Sequence, residues 1–93
     1  MYGTVALCTV SAENLGALRA LMTVQERGEG FLGMDLMEVE NHPKTVLIVV
    51  RFQDRDSYMA NAESPGQDER YQKLRALLDF DPVWYDGQWT PVQ

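Results

Sequence analysis

The stretch NHPKTVLIVVRF, Asn41 to Phe52, sets five aliphatic residues in a row directly after a proline turn. Asn41 opens the turn, and Pro43 fixes φ and removes a donor. Thr45 to Gln53 then reads as a strand rich in β-branched residues. A strand with one wet face should alternate apolar and polar side chains. This one does not, because Leu47 and Val49 oppose Val46, Ile48 and Val50. Leaving such side chains in water forfeits about 1.5 to 3 kcal/mol each, so both faces of the strand need a cover.

Working outward, Phe31 to Glu40 forms the partner strand of a hairpin over 31–53. Its alternation sets Leu32, Met34 and Leu36 on one face and Phe31, Asp35, Met37 and Val39 on the other. Gly33 inside it marks a bulge or a close backbone approach. Before it, Tyr2 to Val10 reads as a strand, followed by a helix with Ser11 at its N-cap and Glu13 in its first turn. Leu15, Leu18, Leu21 and Met22 give that helix its apolar stripe, and Gly28 and Gly30 end it. After the hairpin, Asp54 caps a second helix carrying Tyr58, Met59 and Ala62. Ser64-Pro65-Gly66 interrupts it, and Asp68 restarts a helix striped by Tyr71, Leu74, Leu77 and Leu78. Pro82 closes that region, and Val83 to Trp89 is the last strand. The order is β-α-β-β-α-β with a broken second helix. It predicts an α+β, ferredoxin-like split βαβ domain over 1–93, a four-stranded antiparallel sheet with its helices on one face.

Ninety-three residues suffice for one small core, and a hydrophobic fraction of 45% is that of a globular chain. The net charge of −6, with no cluster of lysine or arginine, argues against nucleic acid and anionic membranes. No apolar run approaches the roughly 20 residues that span a bilayer. The N-terminal residues lack the basic region of a signal peptide, so the expected location is the cytoplasm. One cysteine and one histidine offer no metal cluster. Cys8 reads as a core residue and His42 as a solvated turn residue, away from any cavity between sheet and helices. Asp79, Asp81 and Asp86 flank a proline turn and read as solvated loop positions. Because the helices cover one face of the sheet, a second copy, sheet against sheet, is the expected cover of the other.

The runs GFLGMDLMEVE (30–40), TVLIVVRFQDRDSYMANAESP (45–65) and QKLRALL (72–78), with a closing aromatic strand, resemble the antibiotic-biosynthesis-type monooxygenase domains, which are dimeric α/β barrels. The resemblance covers nearly the whole chain and implies a homodimer through the sheet face. One branch degrades haem with a histidine on the last helix. Tyr71 stands near that position here and Asn61 near the branch's tryptophan, so haem chemistry is disfavoured. Another branch oxidises polycyclic phenols with dioxygen and needs no metal or prosthetic group. The resemblance therefore implies a cofactor-independent monooxygenase acting on an aromatic or polyketide-like molecule, or else a non-enzymatic dimeric module that binds a small ligand or serves as a structural partner. Holding an aromatic ring and stabilising a phenolate calls for an apolar cavity with a few donors. The candidates for lining it are Tyr58, Asn61, Tyr71, Arg51 and Trp84, with Trp89 beside them. Arg51, alone among aliphatic neighbours, needs an anion, either from a substrate or from Asp35 on the adjoining strand.

Overall fold

A computed structural model describes residues 1–23 and 28–92. Its elements run β1 (Tyr2–Thr9), α1 (Ala12–Thr23), β2 (Phe31–Glu38), β3 (Thr45–Phe52), α2 (Arg55–Ala62), α3 (Pro65–Leu77) and β4 (Val83–Gln88). The strands form one antiparallel sheet in the order β2-β3-β1-β4, the ferredoxin-like arrangement. The end expected for the first helix falls partly on residues 24–27, which lie outside the described residues. Gly28 and Gly30, which follow, adopt φ of 80° and 83°.

Local chemistry sets most of these boundaries. In the turn, Asn41 and Lys44 take φ of 66° and 70°, and Thr45 N–H donates to the His42 carbonyl, which reverses the chain. His42 itself is exposed. Asp54 caps α2: its side chain accepts from Ser57 N–H at 2.8 Å, and this bond holds the carboxyl below its ordinary range. The third helix starts at Pro65, three residues earlier than expected. Proline is at home in a first turn, where its missing donor is not needed, so the break between α2 and α3 is short.

Strand alternation carries the core. Ala6, Cys8, Val46 and Ile48 point under the helices and meet Leu18, Leu74 and Leu78, while Phe52 on the same face packs against the rings of Phe31 and Tyr58; all but these two rings are buried. Burial among apolar neighbours pushes the Cys8 thiol up to about 11, which keeps it protonated and inert. The expected phase of β2 fails at its start. A register shift between Phe31 and Gly33 makes Leu32 the extra residue of a bulge. Phe31 therefore turns to the helix side, its ring 5.6 Å from that of Phe52, and Leu32 is left 51% exposed.

On the opposite face Val83, Leu7, Leu47 and Met37 lie side by side across all four strands, with Tyr85, Val5 and Val49 in the next row. The third row is Gly87, Gly3, Arg51 and Gly33. A Cβ on Gly3 would collide with the Val50 carbonyl, and one on Gly33 would come within 2.9 Å of the Arg51 guanidinium. No described helix or loop packs on this face. The molecule is a slab of 36 × 35 × 20 Å, and its surface is 6119 Å². A compact monomer of 10.6 kDa would expose roughly 5500 Å².

Candidate functional site

The side chains that face the helices do not fill all of the space beneath them. Between sheet and helices lies a cavity of about 410 Å³. Thr4, Met34, Ile48, Val50, Trp84 and Asp86 form its floor. Leu21 and Met22 of α1, Tyr58 and Asn61 of α2, and Tyr71 and Leu74 of α3 form its walls, with Gln67, Asp68 and Arg70 toward the N-terminal end of α3. The room follows from the helix break. The eight-residue α2 packs on β1 and β3, whereas α3 packs against α1, so the two leave a gap above the centre of the sheet.

Most of the lining is apolar, and its polar atoms gather in two groups. In the first, Tyr58 Oη donates to Asp86 Oδ1 at 3.0 Å. Burial and the nearby Asp86 carboxylate push the Tyr58 hydroxyl up to about 12, a shift that the neighbouring Thr4 hydroxyl slightly opposes. Tyr58 therefore keeps its proton throughout the physiological range and acts as a donor. Thr4, 2% exposed, finds no partner of hydrogen-bond geometry for its Oγ1 among the described residues. An aromatic row closes this end: Tyr2, Tyr58, Phe52 and Phe31 follow one another at centroid distances of 5.3, 5.6 and 5.6 Å.

The second group is an amide and guanidinium cluster. Arg70 Nη2 donates to Asn61 Oδ1 at 3.1 Å and its Nε donates to Gln67 Oε1 at 3.2 Å, while Asn61 Nδ2 reaches Gln67 at 3.4 Å. Asn61 and Arg70 also line an open groove of about 540 Å³ on the outer side of α2, shared with Ser57, Ser64 and Gly66. They stand where cavity and groove adjoin.

Four of the five candidate residues, Tyr58, Asn61, Tyr71 and Trp84, come together here, with the Tyr71 and Trp84 rings 6.4 Å apart. Arg51 does not. Its position on β3 has the parity of Leu47 and Val49, so it lies across the sheet from the cavity, paired with Asp35 at 2.8 Å. Trp89 follows the end of β4, donates its backbone N–H to Met1, and does not line the cavity. Of the three aspartates read as solvated loop positions, Asp79 and Asp81 do lie in the loop before β4, with Asp81 largely exposed, whereas Asp86 is a strand residue, which corrects the reading there. Asp79 accepts from Ser11 Oγ and Lys44 Nζ, Asp81 from Arg75, and Asp86 belongs to β4. Sequence reasoning also missed Thr4, Met34 and Arg70. The first two carried a signal, since Thr4 shares the parity of Ala6 and Cys8, and Met34 that of Leu36. Among the described residues no three His, Cys, Asp or Glu side chains converge as a metal site would require.

The fold has close counterparts among solved structures. A proposed antibiotic biosynthesis monooxygenase from Deinococcus radiodurans superimposes with a TM-score of 0.80 at 18% identity, covering 100% of this chain and 96% of its own. A second from Nitrosomonas europaea gives 0.74 at 13% identity, covering 95% and 97%. SnoaB, a cofactor-independent oxygenase from Streptomyces nogalater solved as an asparagine-to-alanine variant, gives 0.66 at 18% identity, covering 96% and 94%. This chain has the antibiotic-biosynthesis-monooxygenase fold. At these identities the likeness is one of fold. No family model matches the chain, and no curated protein is similar to it in sequence. Among the described residues no helix is long and apolar enough to cross a membrane.

Proposed function

We propose that the chain is a cofactor-independent oxygenase that acts on a hydroxylated polycyclic aromatic molecule held in the cavity. The observation that carries this reading is an apolar space of about 410 Å³ with a donor, Tyr58, and a buried hydroxyl, Thr4, at one end. A flat ring system would lie between the floor of Met34, Ile48, Val50 and Trp84 and the wall of Tyr71 and Leu74. Its hydroxyl would satisfy Thr4 Oγ1, and Tyr58 would turn its one O–H from Asp86 to the oxygen as negative charge grows on it. Asp86, already a hydrogen-bond acceptor in that corner, is the group placed to take the proton. The electrons come from the substrate: the deprotonated ring carbon passes them to dioxygen, one oxygen atom enters as a carbonyl, and the other leaves as water. A ring methylene and O2 thus give a quinone carbonyl and H2O.

The reading takes 1–93 as one domain and includes a homodimer through the bare sheet face. The surface in excess of a compact monomer, roughly 600 Å², approaches the roughly 800 Å² that each partner commits to a standard interface. The rows around Leu7 and Val49 are apolar enough to supply its centre.

The test is an oxygen electrode with a hydroxylated anthrone and the purified protein, without added metal or cofactor. Oxygen uptake matched one to one by quinone, above that with heat-denatured protein, is the expected result. Binding that quenches tryptophan fluorescence with no added oxygen uptake overturns the oxygenase and leaves a small-ligand-binding module.

A further inference from the structure

The ion pairs of the described residues occupy Arg19, Lys44, Arg51, Lys73 and Arg75. Arg70 is in none of them. It is half-buried on α3, yet its partners are the neutral amide oxygens of Asn61 and Gln67. A guanidinium withdrawn from water and matched, among the described residues, only with amides retains most of its capacity for an anion, and its planar fork suits a carboxylate best. The amides hold Nε and Nη2, which fixes the plane of the group, while no hydrogen bond to a described residue takes Nη1. Two carboxylates also line the cavity. Asp86 is engaged by Tyr58 in the other polar group, and Asp68, exposed in the first turn of α3, forms no ion pair with Arg70. Arg70 and Asn61 line both cavity and outer groove, whereas Thr4, Tyr58 and Asp86 line the cavity alone. Arg70 therefore stands where the cavity meets the groove, which Glu29 and Asp54 also line, and the hydroxyl-binding corner of Thr4, Tyr58 and the exposed Asp86 lies at the other end of the cavity.

We infer that Arg70 is the specificity-determining residue of this cavity, and that its substrates are aromatic acids that carry a carboxylate at the groove end of the cavity and a hydroxyl at the Tyr58 end. The inference rests on the reading of the cavity given above and adds the charge of the substrate to it. A carboxylate docked on Arg70 replaces lost hydration with a charge-assisted pair. It also gives an elongated ring system one orientation, with the hydroxyl led in to Tyr58.

A hydroxynaphthoic acid and its methyl ester, titrated separately against tryptophan fluorescence, test it. The expected preference for the acid is about tenfold or more, the scale of a charge-assisted hydrogen bond. Arg70→Gln should bring the two ligands to equal affinity, and Arg70→Lys should keep part of the preference; circular dichroism checks that both variants fold. Equal binding of acid and ester by the unaltered protein, or a preference that survives in a folded Arg70→Gln, overturns the inference while the cavity stands. Failure of both probes to bind overturns the cavity reading itself and the inference with it.

Discussion

The two faces of the sheet share one backbone and one alternation, yet they handle apolar surface in opposite ways. Beneath the helices, Ala6, Cys8, Ile48 and Phe52 are each at most 3% exposed, and the space that remains is a cavity with polar groups at its margins. On the other side Leu7, Met37, Val83 and Tyr85 are 36 to 61% exposed and lie side by side. The first face is complete within the chain; the second has the composition of a core and no cover. An excess of aliphatic residues in β3 therefore marks a second apolar face that no described element covers, and polar atoms set among apolar ones mark the margins of the cavity.

The contrast can be broken by substitution, and the largest effect belongs to the covered face. Phe52→Ala removes a fully buried ring that contacts Phe31 and Tyr58, and should cost about 3 to 5 kcal/mol in urea unfolding. Leu7→Glu, at the centre of the bare face, should leave far-ultraviolet dichroism intact and halve the mass in light scattering. A dimer that persists unchanged would place the interface elsewhere.

Tyr58→Phe sharpens the site. Tyr58 titrates near 12 in the folded chain against an ordinary value of 10, so the unfolded chain releases this proton first. The stability tied to it is complete below pH 10 and lost as pH rises through about 12. The phenylalanine variant should lose that alkaline decline, and should bind a phenolic ligand about fivefold more weakly, as expected for one hydrogen bond of about 1 kcal/mol. The smallest and most diagnostic change is Thr4→Val. Replacing a buried hydroxyl that lacks a good hydrogen bond with a methyl group should raise stability slightly, by less than about 1 kcal/mol in thermal unfolding. The same change should weaken the ligand, a split that a purely structural threonine would not show.

How much of this was legible in the sequence depended on whether the signal was local. The hairpin turn, the Asp54 cap and the proline break are written in adjacent residues, and the element order follows from them. Tyr58, Asn61, Tyr71 and Trp84 could be singled out because aromatic and amide side chains stand apart within apolar stripes. Asp86 could not, since β4 is short and the phase of its alternation depends on pairing with β1. Arg70 is one of several charges on α3, and only the structure shows that its neighbours are amides. Arg51 looked unusual for the opposite reason: its neighbours in sequence are aliphatic, but its neighbours in space are Asp35 and a row of glycines.

The bulge at the start of β2 bears on how such a chain can change in length. Phe31 opposite Phe52 and Gly33 opposite Arg51 are already in regular succession once Leu32 is ignored. Deleting that one residue would leave every later pairing of the hairpin in place. Deleting any residue from Met34 to Met37 would shift part of the strand by one step and send Asp35 or Met37 under the helices. The ladder therefore has a tolerant end and an intolerant middle. Natural length variation in chains of this kind should collect at position 32, a few residues from the cavity yet invisible to it.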